Sequence, residues 1–219
     1  LSVADQQTHV NIDGIYQAAD QKLKFGMEFG AIDLSVLSHL SPQLAPLAAL
    51  DLPVQGTITA AIGIDGTVDK IGFGLKGASG RLRLPTPFAQ VLPIESLAVR
   101  GSYTGLSGNL VVDDLRAELG EQGRFVLPAS DGHAIPLKSV QARGRYLAHE
   151  KSLDVRALEA DLQGPTVNLS AIIDSDVGSL TGNVKGSLSN VPIDEVGHYW
   201  PKAWGTDAHQ WITANLSDG

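Results

Sequence analysis

The sequence predicts a mainly β protein, a curved antiparallel sheet of repeated hairpins with short helices at the ends of its segments. Three observations carry that expectation. Residues 92–119, LPIESLAVRGSYTGLSGNLVVDDLRAEL, recur as residues 135–162, IPLKSVQARGRYLAHEKSLDVRALEADL, aligned without a gap at an offset of 43. Ten of the 28 positions are identical, among them Pro93/Pro136, Arg100/Arg143, Gly101/Gly144, Tyr103/Tyr146 and Leu119/Leu162. Self-similarity at such a period points to a supersecondary unit whose apolar face is buried only when copies lie side by side. Second, most of the chain alternates apolar and polar residues with the two-residue period of a strand. Third, helix grammar is confined to two proline-punctuated stretches.

Residues 1–50 read as strands plus a short helix of a preceding repeat block. Leu23, Phe25, Met27 and Phe29 alternate with Lys22, Lys24, Gly26 and Glu28, a strand with one greasy face. Asp33 is placed to cap a short helix carrying Val36, Leu37 and Leu40, which Pro42 and Pro46 cut short. Residues 51–190 form the repeated hairpin sheet. Ile58, Ile62 and Ile64 lead to an Asp65-Gly66 hairpin turn, followed by Ile71, Phe73 and Leu75. Leu82 and Leu84 extend the pattern in GRLRLP. In the first repeat copy, Leu97 and Val99 precede the turn GLSGN, and Leu110 and Val112 follow it. The parity then slips by one residue to Leu115, Ala117 and Leu119. The second copy has Val140 in its first strand, and its second strand slips at the same place, from Leu153 and Val155 to Leu158, Ala160 and Leu162. A one-residue slip in a period-two pattern is what a β-bulge produces, and a bulge bends the strand. Val167, Leu169 and Ile173, then Leu180, Val184 and Leu188, supply two more strands. Residues 191–219 form a Trp-rich helical segment, in which Asp194 and Thr206 or Asp207 are candidate caps.

Composition removes several classes of function. A net charge of −8 with acids and bases dispersed offers no basic stripe for nucleic acid. The absence of cysteine excludes a disulfide framework, a thiolate nucleophile and cysteine-based metal sites. No stretch approaches the roughly 18 apolar residues of a membrane-spanning helix. The first residues lack signal-peptide grammar and read as mid-strand, as in a piece of a longer protein.

Catalytic and cofactor motifs are equally scarce. The six histidines show no metal-ligand spacing. GFGLKG at 72–77 matches a dinucleotide fingerprint in letters, but a strand follows it, so there is no helix N-terminus to hold a pyrophosphate. Asp113-Asp114 resembles a carboxylate pair, yet the second copy has Arg156-Ala157 there, and a solvated bulge edge is the better reading. The tryptophans Trp200, Trp204 and Trp211 are expected to pin terminal helices to the sheet rim rather than stack on sugar. No enzyme activity, catalytic residue, metal or cofactor is expected.

What remains is the apolar stripe itself, from Ile58 to Leu188. By residue pattern alone it reads first as the core of a closed β-sandwich or β-solenoid interaction module, and second as the concave wall of an open groove. A glycan hydrolase, the weakest alternative, needs two facing carboxylates that the sequence does not place.

One stretch carries a family resemblance. Pro192, Ile193 and Asp194, then Trp200-Pro201, then Ala208, Trp211-Ile212, Asn215-Leu216 and Gly219 resemble the signature of bacterial AsmA-like proteins of the YhdP type. The stretch LPVQGTITAAIGIDGTVDKIGFGLKGASGRLRLP is similar to the strand grammar of that family, while His209 stands where its pattern has arginine. The resemblance reverses the order of the closed and open readings: it implies an open half-pipe of β-hairpins that shields phospholipid acyl chains. It implies an internal segment of a bridge across the periplasm, anchored in the inner membrane in the full-length protein and continued by neighbouring segments of the same chain. The stripe residues named above would line the groove.

Overall fold

The computed structural model describes residues 9–33, 48–86, 88–126, 134–176 and 179–192, with Ser2–Val3, Gln6–Gln7, Ser35, Ser38 and Tyr199 besides. Its strands, in chain order, begin with β1 (Ser2–Val3), β2 (Gln6–Gln7), β3 (Val10–Gln17), β4 (Lys22–Asp33), β5 (Leu50–Asp51) and β6 (Pro53–Gly63). Next come β7 (Val68–Gly77), β8 (Gly80–Arg83), β9 (Val91–Ile94), β10 (Ser96–Thr104), β11 (Asn109–Glu118) and β12 (Arg124–Val126). The last are β13 (Ala134–Pro136), β14 (Ser139–Leu147), β15 (Ser152–Asp161), β16 (Thr166–Asp176) and β17 (Ser179–Ser189).

Ten of these strands form one antiparallel sheet in the order β17-β16-β15-β14-β11-β10-β7-β6-β4-β3. The order is that of an up-and-down meander once the excursions are set aside. Tight turns join β3 to β4, β6 to β7, β10 to β11 and β14 to β15, and all lie at one end of the sheet, called here the rim. At the other end, the foot, three connections carry further small strands, while β1 and β2 precede β3 and pair with each other. β5 lies between β4 and β6, β8 and β9 lie between β7 and β10, and β12 and β13 lie between β11 and β14. β5, β8 and β9 pair as a three-stranded sheet, and β12 and β13 pair with each other. The large sheet does not close into a barrel, and among the described residues β3 and β17 pair on one side only. It runs unbroken across residue 50, since β4 pairs with β6.

Turn chemistry explains the rim. Asp65 Oδ1 accepts the Thr67 amide at 3.0 Å and the Thr67 hydroxyl at 2.7 Å, and Gly66 supplies the φ of +82° that the turn requires. The Thr67 hydroxyl and then its amide hold the Asp65 carboxyl below its usual pKa. The repeat preserves turn geometry as well as letters: Gly108 in one copy and Lys151 at the same place in the other both have positive φ.

The parity slip seen in the sequence is a register shift in both copies. Arg100 faces Asp114 while Gly101 faces Val112, so Asp113 is the extra residue. Arg143 faces Ala157 while Gly144 faces Val155, so Arg156 is extra at the corresponding place. Each bulge keeps apolar residues three apart, Val112 with Leu115 and Val155 with Leu158, on the same side of the sheet.

The core sits at the foot, and the repeat builds it. Its main buried cluster consists of Leu92, Ile94, Ala117 and Leu119 together with Ile135, Leu137, Ala160 and Leu162. These are the same four positions taken from each copy. The flanking backbone repeats too, with the Glu95 amide donating to the Glu118 carbonyl at 2.7 Å and the Lys138 amide to the Asp161 carbonyl at 2.8 Å. A second cluster, Leu52 and Val54, extends the core under β6, in the same apolar-Pro-apolar setting as Leu92-Pro93-Ile94 and Ile135-Pro136-Leu137.

Three stripe residues are not where alternation placed them. Leu82 lies in β8 of the three-stranded sheet, Leu84 follows directly after it, and both pack against the foot cluster instead of joining the wall of the large sheet. Ile64 lies beyond the end of β6, in the turn, and is 67% exposed. Their pattern was locally correct, but an excursion and a turn carried them off the sheet. Asp33 Oδ1 accepts the Ser35 amide at 2.9 Å, the bond expected of a helix cap. The helix expected after it and the Trp-rich segment with its signature lie outside the described residues, apart from Ser35 and Ser38 in the first and Val191, Pro192 and Tyr199 in the second.

Candidate functional site

Cross-strand partners point to the same face of a sheet, so register assigns every side chain to one side. Nearest the foot, one row runs Ile32, Val54, Gly77, Leu97, Ala117, Val140, Ala160, Val167, Leu188. The next runs Val10, Phe29, Gly56, Leu75, Val99, Leu115, Ala142, Leu158, Leu169, Gly186. A third runs Ile12, Met27, Ile58, Phe73, Gly101, Val112, Gly144, Val155, Ala171, Val184. The row nearest the rim runs Gly14, Phe25, Ala60, Ile71, Tyr103, Leu110, Tyr146, Leu153, Ile173, Gly182. Tyr16, Leu23 and Ile62 add a short further row above β3, β4 and β6. Apart from the tyrosine hydroxyls, these rows hold only apolar side chains and glycine.

The opposite face is mostly polar, with Ile15, Val111 and Ile172 among its side chains, and it is cross-linked by charge. Lys22 Nζ meets Asp69 Oδ2 at 2.8 Å, tying β4 to β7, and that bond holds the Lys22 ammonium above its usual pKa. Arg145 and Arg156 both approach Asp154 Oδ2, at 3.0 and 3.7 Å, and Arg116 meets Asp114 Oδ1 at 3.2 Å. A hollow of about 520 Å³ opens at the foot of this face beside Gln55, Lys76, Ala98 and Arg116. Among the described residues, no three His, Cys, Asp or Glu lie together so as to hold a metal ion. No helix among them is long and apolar enough to cross a membrane.

The apolar face is not uniformly covered. At the foot Val54, Ala117 and Ala160 are 1–8% exposed, beneath the small strands. At the rim Tyr103, Tyr146 and Leu153 are 36–41% exposed, and Leu23 and Tyr16 reach 44 and 54%. The middle rows are mostly half-buried, with Phe29 and Ala171 buried, and in the rim row Ala60 is buried as well. The edge strands are open as well: Ile12 of β3 is 70% exposed and Val184 of β17 is 60% exposed.

Protein-family models, curated proteins and solved structures give no match to this chain.

Of the stripe residues expected to line a groove, register brings together Ile58, Ile62, Ile71, Phe73, Leu75, Leu97, Val99, Leu110, Val112, Val140, Leu153, Val155, Val167, Leu169, Ile173, Val184 and Leu188. Leu180 stands opposite Ser175 in β17. Sequence reasoning left out Phe25, Met27, Phe29 and Ile12, which extend the same face through β3 and β4. Their alternation is plain, but nothing in it says that β4 pairs with β6 across a 19-residue connection. It also left out Tyr103 and Tyr146, although the repeat marks both.

Proposed function

We propose that this chain is a non-enzymatic segment of an AsmA-like protein that shields phospholipid acyl chains in an apolar β-groove between the inner and outer membranes. The observation that carries this reading is the face of four rows across ten strands, apolar or glycine save for its tyrosine hydroxyls and covered by a second layer of described strands at the foot alone. An acyl chain leaving a bilayer gives up about 0.8 kcal/mol per CH₂, or about 13 kcal/mol for ~16 carbons. A continuous alkyl surface offsets most of that loss. With few aromatic rings and no ionic group on the face, nothing pins a tail at one place, so it can slide. The bulges at Asp113 and Arg156 are the devices that would curve the sheet into a half-pipe. The open edges β3 and β17 suit continuation by neighbouring segments of the same longer chain. The resemblance of the tail to AsmA-like proteins supports a reading of that chain as periplasmic, with an anchor in the inner membrane. A closed sandwich, the alternative, calls for a second layer over the rim rows as well as the foot.

Native mass spectrometry of the purified chain tests the proposal. Bound phospholipid is expected. Val112→Asp or Val155→Asp, each setting a carboxylate on the face away from the two buried clusters, is expected to lower lipid occupancy tenfold or more while the β circular dichroism is kept. A folded chain that carries no lipid and takes none up from phosphatidylcholine vesicles overturns it.

A further inference from the structure

The groove has two long margins of different chemistry. The foot is closed by β5, β8, β9, β12 and β13 and by the buried leucines beneath them, so a hydrated group cannot leave there. The rim is open, and it holds the polar side-chain atoms of the apolar face: the hydroxyls of Tyr16, Tyr103 and Tyr146, and that of Ser175 near the end of β16. Tyrosine is suited to such a margin, since its ring lies against alkyl groups while its hydroxyl meets water or a hydrogen-bond acceptor. Tyr103 packs its register between Ile71 and Leu110, and Tyr146 between Leu110 and Leu153. All three phenols are at least 36% exposed, and none of the three hydroxyls has a hydrogen-bond partner among the described residues. Tyr103 and Tyr146 are the same position in the two repeat copies, two strands apart, which is about 10 Å.

From this asymmetry we infer that the rim is the head-group side of the groove. Tyr103 and Tyr146, with Tyr16 beyond them, donate hydrogen bonds to the phosphate or ester-carbonyl oxygens of phospholipids whose tails lie toward the foot. The inference rests on the proposed acyl-shielding role and adds an orientation and a ligand class to it. Charge at the rim forms no basic patch: Asp20, Asp65, Asp69, Glu150 and Asp174 stand there with Lys22, Lys70 and Lys151, and Lys22 is paired with Asp69. The hydroxyls therefore recognise the phosphoester common to all phospholipids, and their contribution is the same for anionic and zwitterionic head groups.

The test uses the full chain and phosphatidylcholine bearing a nitroxide either on the head group or at the end of one acyl chain, followed by amide NMR. The head-group label is expected to broaden amides around Tyr103 and Tyr146 and to spare those around Leu97 and Val140; the tail label does the reverse. Combined Tyr103→Phe and Tyr146→Phe keeps both rings and removes two donors. It is expected to weaken phosphatidylcholine and phosphatidylglycerol binding equally, roughly threefold to tenfold per hydroxyl. Binding of the uncharged dye N-phenyl-1-naphthylamine is expected to stay as in the native chain. Head-group broadening at the foot, or unchanged phospholipid affinity in the double variant, overturns the head-group assignment and leaves the groove standing. Failure of the native chain to bind either labelled lipid overturns the groove and this inference together.

Discussion

Leu119 and Leu162 hold the same place in the two repeat copies and are 2 and 8% exposed within one buried cluster. Replacing either with alanine opens a cavity that its neighbours refill only in part, at a cost of about 2–5 kcal/mol. Urea unfolding of Leu119→Ala and Leu162→Ala is expected to show losses of similar size. Because they share a cluster, the double variant is expected to depart from their sum. Leu106→Ser, at a position 75% exposed in a rim turn, is expected to stay within about 0.5 kcal/mol of the native chain. Equal behaviour of all three variants would contradict the placement of the core at the foot. The importance of Leu119 and Leu162 was legible, since the repeat marks them. The reason for the repeated glycine was not. A Cβ at Gly101 would meet the Val111 carbonyl and one at Gly144 the Asp154 carbonyl at the corresponding place, a close approach that exists only once the strands are paired; at Gly101 the ring of Phe73, from the neighbouring strand β7, adds a second.

Bulges are the elements in which local pattern and sheet geometry meet. Asp113 and Arg156 each add one residue to a strand, and without them Val112 and Leu115, or Val155 and Leu158, would be separated by the ordinary two. Deleting both therefore restores plain alternation with every apolar side chain still on its present face. The deletion variant is expected to fold cooperatively with native-like strand content and to lose most of its phospholipid uptake, because the strands are straightened. Thermal melts by circular dichroism read the first outcome and native mass spectrometry the second; full lipid occupancy in the variant would remove the bulges from the mechanism. The position of each bulge could be read from the parity slip, a feature of a few adjacent residues. The excursions could not: GRLRLP alternates like its neighbours, yet β8 pairs with β5 and β9 because the chain leaves the sheet after Gly77.

Across the whole molecule, the apolar rows form one surface far larger than the isolated apolar patches of an ordinary soluble domain. At both ends of that surface, β3 and β17 are edge strands with free backbone groups among the described residues. Stripped of lipid, the chain is expected to self-associate with rising concentration in analytical ultracentrifugation, and lysophosphatidylcholine below its micellar concentration is expected to return it to monomer. A lipid-free chain that stays monomeric at high concentration would show the surface to be already satisfied within the molecule. By itself the sequence determined the strand-rich character, the duplicated hairpin, the bulge positions and the sidedness of each strand, because a two-residue period and a one-residue slip are properties of neighbouring residues. Only the tertiary structure decided that β3 and β4 continue the same wall, that Leu82 and Leu84 belong to the foot, and that the foot is closed while the tyrosine rim lies open. Those outcomes depend on register between distant strands and on where the long connections fold back, which no local pattern encodes.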